Sequence, residues 1–296
     1  LGGLMATAQA GSLRQRYGTL RDMVLGVQFV RADGQVAKAG GRVVKNVAGY
    51  DLMKLLTGSY GTLGIVTEVT LRVYPLPEAW QTVVLSGSTP ELAQAAATIA
   101  ASALTPVAFD VVSAGVLQAL AIDSPLGLAL RFGTMPVSIE QQTEQLKAIA
   151  QSLKLTIHVL REQQDREFWP QLTNSIQPDP DLSLCKFGVL PNAAVHVLDQ
   201  LVALGGAETK GQIYRGTGVG WLAYPARSLT VELVQKWRSL CEDQGGFLSL
   251  LHAPPELKQK IDVWGYPGNA TQTMQALKQQ FDPLALLSPG CFVAGI

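Results

Sequence analysis

The segment LLTGSYGTLGIVTEVTL, residues 55–71, decides the fold because it joins a glycine-rich turn to a β-strand. Glycine recurs at every third position, at Gly58, Gly61 and Gly64, and the alternating β-branched residues that follow predict a strand. The apolar spacing before the turn predicts a short helix, which Gly58 would end in a left-handed conformation. In a Rossmann fingerprint the glycines instead follow a strand and open a helix, so this turn belongs to another class.

A second glycine cluster opens the chain as LGGLMATAQAG, residues 1–11, with small residues around its glycines. No Gly-Lys-Ser/Thr triplet follows either cluster, which excludes a P-loop. Backbone without side chains lets N–H groups approach a pyrophosphate, so both clusters are candidates for a dinucleotide cradle. Tight structural turns explain the same glycines equally well on residue chemistry alone.

The composition narrows the class of protein. The 296 residues are 47% hydrophobic, and 23 Lys and Arg balance 23 Asp and Glu, which predicts about two domains and no nucleic-acid partner. No apolar run reaches the ~18 residues of a membrane span. Cys185, Cys241 and Cys291 lack CxxC spacing, so we expect neither an iron–sulfur nor a zinc site, and a cytoplasmic location.

Pro75 and Pro77 mark the exit from the first glycine-rich part and predict two domains, residues 1–77 and 78–296. Mixed strands and helices predict an α+β fold with an antiparallel sheet in the second domain. The Ala32-Asp33-Gly34 turn predicts a β-hairpin. Predicted strands cover residues 23–30, 35–39, 62–73, 82–85, 107–112, 127–132, 155–160, 182–190, 212–214 and 246–251. Helices are predicted at residues 50–57, 90–102 and 271–281, the second of them with Thr89 as its cap. Two further helices are predicted to start at Ser138, in a capping box with Gln141, and at Ser228.

The strings GGRVVKNVAGYDL (residues 40–52) and 55–71 together resemble the second half of a flavin domain of the vanillyl-alcohol-oxidase type, also called PCMH-type. Within that family they are similar to the E subunit of glycolate oxidase. Near the other end, Phe281-Asp282-Pro283 and LSPGCF (residues 287–292) resemble the family's Asp-Pro…Asn-Pro-Gly-Arg signature. Three positions depart from the pattern, because Ser288 and Cys291 replace the asparagine and the arginine of that signature and Tyr60 stands where many relatives carry Glu.

The resemblance implies FAD as cofactor and assigns its contacts. The residues that would line the pyrophosphate and the flavin are Gly2, Gly3, Ala6, Thr7 and Gly11. Those that would hold FAD through the main chain are Tyr60, Gly61, Gly64, Ile65 and Val66. The family's flavin domain has two subdomains, so residues 1–77 would be the second and the first would precede Leu1. The C-terminal tail would pack back on the flavin domain. We expect this fragment alone to bind FAD weakly and to be inactive.

The resemblance also implies a reaction and partners. The expected function is oxidation of a small 2-hydroxy acid, glycolate or D-lactate, with electrons passing through FAD to a partner. A D-type flavin subunit and an iron–sulfur F-type subunit are the expected partners, and any membrane association would come through them. The alternative is a non-catalytic, flavin-holding or structural subunit of such an oxidase.

Few side chains are candidates for the chemistry. Oxidation of a hydroxy acid needs a base and a cation, for which His252 and Arg215, within YRGTGVGW (residues 214–221), are candidates. A structural histidine and a plain glycine-rich hairpin are the alternatives. Arg42 and Lys45 would neutralise a cofactor phosphate or lie solvated at the surface. Related dehydrogenases have a His-rich metal motif with no counterpart here, so we expect no metal.

Overall fold

The computed structural model describes residues 1–44, 49–119 and 121–296. The chain divides into two compact units. The first, here called the front unit, comprises Leu1–Leu76 together with Tyr266–Ile296. The second, the back unit, comprises Pro77–Gly265. None of the helices in the described ranges has both the length and the apolar character needed to cross a bilayer.

The front unit is built on a three-stranded antiparallel sheet. Its strands are β1 (Val24–Val30), β2 (Val36–Gly40) and β3 (Ile65–Leu71), in the order β2-β1-β3. Its helices are α1 (Gly2–Ala6), α2 (Arg14–Tyr17), α3 (Leu20–Met23), α4 (Leu52–Leu56) and, from the end of the chain, α12 (Thr271–Phe281). The predicted hairpin is confirmed, since Arg31 N donates to Gln35 O at 2.9 Å and Gly34 has a φ of 79°.

Local sequence signals explain how α4 begins and ends. Asp51 is its N-cap, and the side chain accepts a hydrogen bond from Lys54 N at 3.2 Å. Two residues after the helix, Gly58 has a φ of 80°, the left-handed conformation that its position predicted. The small apolar core beneath the sheet comprises Met5, Val24, Val27, Phe29, Leu56 and Leu63.

The back unit is built on an eight-stranded antiparallel sheet of order β11-β8-β10-β9-β5-β6-β4-β7. Its strands are β4 (Ala79–Ser86), β5 (Ala108–Ser113), β6 (Leu126–Thr134), β7 (Thr156–Arg161), β8 (Leu182–Gly188), β9 (Lys210–Tyr214), β10 (Val219–Pro225) and β11 (Phe247–His252). The predicted α+β fold with an antiparallel sheet is therefore confirmed.

Helices cover both faces of this sheet. They are α5 (Thr89–Ala101), α6 (Ala114–Ala119), α7 (Pro136–Ser152), α8 (Glu162–Asn174), α9 (Ala194–Gly205), α10 (Val231–Asp243) and α11 (Pro255–Lys258). Buried side chains of α5, α7, α9 and α10 join one apolar core, and those of α6 and α8 join another. Neighbouring residues of β4 alternate between the two, with Val83 and Leu85 in the first core and Val84 in the second. The sheet is thus the middle of three layers.

Three predicted helix starts were wrong. Ser88, not Thr89, is the N-cap of α5. Met135 is the N-cap of α7, and Ser138 already lies in the first turn, where its Oγ accepts from Gln142 Nε2 at 3.3 Å. In both helices a proline occupies the first turn, where a missing N–H costs nothing, and this moves the start upstream of the Ser or Thr pattern.

The third wrong start concerns α10. Ser228 lies in a short 3-10 turn, Ala226–Ser228, and the helix begins at Val231. Thr230 is the N-cap, and its side chain accepts from Leu233 N at 3.2 Å. Ser228 and Thr230 both have a hydroxyl group that suits an N-cap. The local sequence does not decide between them, and in the folded protein Thr230 is the cap.

Candidate functional site

The two glycine clusters lie side by side in the front unit. Gly58 N donates to Met5 O at 3.1 Å, and Tyr60 N donates to Ala6 O at 2.8 Å. These bonds attach the turn at residues 58–61 to the C-terminal end of α1. Segments that are about fifty residues apart in sequence therefore form one local structure.

Gly2 and Gly3 have different surroundings. A Cβ on Gly2 would lie 2.8 Å from Val66 O, a backbone atom, so Gly2 is required for α1 to approach β3. A Cβ on Gly3 or on Gly11 would meet nothing within 4 Å, and both residues are exposed. The exposed surface at Gly3 is therefore open to a ligand, which is the geometry that a main-chain anion cradle requires. Thr7 Oγ1 donates to Gly3 O at 2.9 Å and closes this turn of the helix.

The turn between α4 and β3 has a left-handed backbone at several positions. Tyr60 has a φ of 55° and Gly61 a φ of 75°. This conformation is strained for a residue with a side chain, so Tyr60 needs contacts that hold it. Its backbone N–H bonds to α1, and its ring stacks on Phe292 with centroids 5.6 Å apart. Burial raises the pKa of the Tyr60 hydroxyl.

The last residues of the assigned turn also contribute to packing. A Cβ on Gly64 would lie 2.8 Å from the Phe29 ring, so Gly64 allows β3 to pack on the core. Ile65 is 57% exposed, and Val66 contacts Gly2 through its carbonyl. Among the predicted cations, Arg42 is exposed, and Lys45 lies outside the described residues.

A buried charge pair anchors the C-terminal tail beside this turn. Lys278 Nζ lies 2.6 Å from Asp282 Oδ2 and also donates to Thr62 O at 3.0 Å. Burial would raise the pKa of the Asp282 carboxyl, but hydrogen bonds from Lys278 and from two backbone amides outweigh it and hold that pKa below its ordinary value. Sequence reasoning missed Lys278. The available signal was its position four residues before Asp282, on the same face of a helix.

The candidate cation of the back unit lies in the loop between β9 and β10. Arg215 is half-buried, and burial lowers the pKa of its guanidinium group. The glycines of this loop are required by packing within the unit. Gly218 has a φ of 69° beside Val189 O, and the Phe187 ring occupies the space where a Cβ on Gly220 would lie. The space beside Gly220 is therefore filled by an aromatic ring of the chain itself.

His252 and Arg215 lie far apart in the same sheet. His252 of β11 pairs with Leu184 of β8, and the next two strands continue this row to Lys210, the first residue of β9. Arg215 follows the last residue of β9, so it lies at the other end of that strand. Strands about 4.8 Å apart and residues about 3.3 Å apart along a strand separate the two positions by roughly 20 Å. A base and a cation acting on one small hydroxy acid must both reach it, so these two residues do not act as a pair.

Within the described ranges, no three His, Cys, Asp or Glu side chains come together in a way that could hold a metal ion. The polar groups of the front site are main-chain N–H and C=O groups, hydroxyls and the Lys278–Asp282 pair. Main-chain N–H groups of this kind can bind an anionic ligand.

Three curated proteins are similar to parts of this chain. The mitochondrial D-lactate dehydrogenase [cytochrome] of Arabidopsis thaliana is 49% identical over 78 residues, 26% of this chain and 14% of that protein. Glycolate oxidase subunit GlcE of Escherichia coli is 47% identical over 78 residues, 26% and 22% of the two chains. Glycolate oxidase subunit GlcD of Bacillus subtilis is 35% identical over 129 residues, 43% and 27%. The matched region spans less than a third of each relative's length, and no family model matches the chain.

Solved structures match the chain over almost its whole length. Alkyldihydroxyacetonephosphate synthase has a TM-score of 0.65 at 17% identity, covering 98% of this chain and 58% of that one. A VAO-type flavoprotein of Myceliophthora thermophila has a TM-score of 0.61 at 15% identity, covering 97% and 59%. At these identities the match shows the fold, which is that of the VAO-type flavoproteins.

Fold and sequence together define the class, since the chain has the VAO-type fold and is homologous to FAD-linked oxidoreductases. Within that class its matched relatives are D-lactate dehydrogenases and glycolate oxidase subunits, GlcE among them. The family resemblance predicted from the motifs is thereby confirmed.

Proposed function

We propose that the front unit contributes part of an FAD site in a flavin-dependent oxidoreductase. The observation that carries this proposal is the pairing of the two glycine clusters through Gly58 N to Met5 O and Tyr60 N to Ala6 O. That pairing brings two short glycine-rich stretches of backbone together, as a diphosphate bound by amides requires. The homology to FAD-linked oxidoreductases supports the same cofactor.

The residues of the proposed site divide by role. Gly3 and Gly11 leave open surface for the cofactor, and Gly2 lets α1 approach β3. The small side chains of Ala6 and Thr7 complete the α1 side. The main chain of the turn forms the other side, with Tyr60, Gly61, Gly64, Ile65 and Val66. When bound, FAD supplies the redox chemistry, and the protein's part is to hold and orient it.

The proposed reaction is oxidation of a small 2-hydroxy acid, glycolate or D-lactate, with electrons leaving to a partner. Relatives named for these two substrates support it. The match to both GlcE and GlcD supports assembly with a D-type flavin subunit, and an iron–sulfur subunit is proposed as the next electron carrier. The back unit would provide substrate contacts, with either His252 or Arg215 among them.

The test is anaerobic purification of the full-length protein, alone and co-expressed with its partner subunits. We expect a flavin absorbance band near the usual visible maxima that is bleached by glycolate or by D-lactate. A bound flavin that stays oxidised with every hydroxy acid, even with partners present, would indicate a flavin-holding subunit without catalysis. A protein that never takes up FAD, although it is folded, would overturn the proposal.

A further inference from the structure

The C-terminal tail of the front unit carries a buried charge pair. The Lys278 side chain is 11% exposed and the Asp282 side chain 0% exposed. Taking two charges out of water is costly, and such a pair is tolerated only where hydrogen bonds satisfy the remaining donors and acceptors. The hydrogen-bond partners of the pair therefore show which segments of the chain it connects.

Every donor of the lysine has an acceptor. An ammonium group has three N–H bonds. Those of Lys278 are directed to Asp282 Oδ2 at 2.6 Å, to Leu287 O at 2.7 Å and to Thr62 O at 3.0 Å. Thr62 lies between Gly61 and Gly64, in the turn proposed to hold FAD. One cation thus links the tail to the main chain of that turn.

The aspartate organises the tail itself. Asp282 Oδ1 accepts from Leu286 N at 3.0 Å, and Oδ2 accepts from Leu287 N at 2.7 Å. The carboxylate therefore closes the loop that follows α12 and presents Leu287 O to the lysine. Among the residues that the structure describes, Asp282 bonds to Lys278 and to the loop rather than to the turn, so its influence on the turn passes through them.

Two further contacts connect the tail to the same turn. A Cβ on Gly61 would lie 3.1 Å from Ser288 Oγ, so the hydroxyl lies directly beside that glycine. The Phe292 ring stacks on Tyr60. Lys278, Ser288 and Phe292 therefore each contact one of residues 60–62.

We propose that Lys278 is a positioning residue that acts on the cofactor through the main chain of the turn. By holding the Thr62 carbonyl, it fixes the orientation of the peptide groups between Gly61 and Gly64, and Asp282 holds Lys278 in place. Sites that bind through the main chain depend on backbone set to within about 0.5 Å, so loss of this bond weakens FAD binding. The inference rests on the proposed function of the front unit.

The test compares Lys278→Met and the double variant Lys278→Met/Asp282→Asn in the full-length protein. The double variant removes both charges, so no buried charge is left unpaired. Lys147→Met is the control, since Lys147 is 43% exposed and pairs with Glu144 at the surface. Apoprotein is titrated with FAD by flavin fluorescence, and hydrogen exchange is followed separately at residues 60–64 and in β1.

We expect both Lys278 variants to raise the FAD dissociation constant about tenfold or more, and to speed exchange at residues 60–64 while β1 stays protected. Lys147→Met should match the wild type. A double variant with wild-type FAD affinity overturns the inference alone. Wild-type protein without FAD affinity overturns the proposed function instead. If both variants that carry Lys278→Met also lose protection in β1, the pair supports the fold as a whole and a specific positioning role is overturned.

Discussion

The front and back units are stabilised in different ways. In the back unit, a broad sheet has one apolar core on each face, and its helices bury Leu, Ile, Val and aromatic side chains against it. In the described part of the front unit, the apolar core cluster contains six buried residues. There the chain is held by hydrogen bonds between turns, left-handed backbone positions and one buried ion pair. The back unit also contains a buried ion pair, Arg131–Asp165, so the two units differ chiefly in how much apolar volume they bury.

The difference bears on what each unit can do. Apolar burial is non-directional, so it stabilises a scaffold without setting the direction of any one peptide group. Hydrogen bonds and left-handed residues do set that direction, at the cost of strain and desolvation. A unit that presents main-chain groups to a ligand needs hydrogen bonds and left-handed residues that set the direction of its peptide groups.

The largest expected effect is in the back unit. Trp237 is fully buried, and its Nε1 donates to Leu201 O at 2.8 Å. We expect Trp237→Ala to lower the free energy of unfolding by about 3–5 kcal/mol, because the lost volume leaves a cavity. All five tryptophans of the chain lie within residues 77–265, so the fluorescence of the remaining four in urea follows this unit. Trp221→Ala, at a partly exposed position, is the matched control. An equal loss of unfolding free energy there would contradict the importance given to buried volume in the back unit.

An intermediate effect is expected at two adjacent glycines of the front unit. Gly2→Ala places a methyl group 2.8 Å from Val66 O, and such overpacking costs about 1–3 kcal/mol. Gly3→Ala meets nothing within 4 Å and should leave stability unchanged or raise it by up to about 1 kcal/mol. If FAD lies against α1, Gly3→Ala should nevertheless weaken FAD binding. Thermal unfolding of the apoprotein and FAD titration separate the effects on stability and on binding. Equal stability of both variants would contradict the packing role assigned to Gly2.

The smallest expected effect is an acid dependence in the front unit. The pKa of Asp282 is lower in the folded protein than in the unfolded chain, so the unfolded state binds the proton more readily. The stabilisation is therefore complete above about pH 4 and is lost as the pH falls through the lowered folded value. Amide NMR signals of β1 would follow unfolding across this range. Asp282→Asn should flatten the dependence, whereas Asp33→Asn, at an exposed pair with Arg31, should leave it as in wild type.

Sequence reasoning succeeded where the signal was local. The turn at Asp33-Gly34, the left-handed Gly58 and the end of α12 before Asp282-Pro283 each depend on the conformation of a few neighbouring residues. It failed at the starts of α5 and α7, where a proline in the first turn places the start upstream, and at α10, where two hydroxyl residues suit the cap. It also missed α8, a polar helix with a proline at position 170, since its apolar face is recognised only against the sheet.

The candidate site shows the same division. The sequence by itself determined which residues lack side chains, where the backbone turns, and which family the motifs resemble, because these properties belong to short segments. Only the tertiary structure decided that residues 1–11 adjoin residues 58–64, that Lys278 binds Thr62, and that His252 is separated from Arg215. Each of these depends on strand register or on contacts between distant segments, and no pattern within a single segment specifies them.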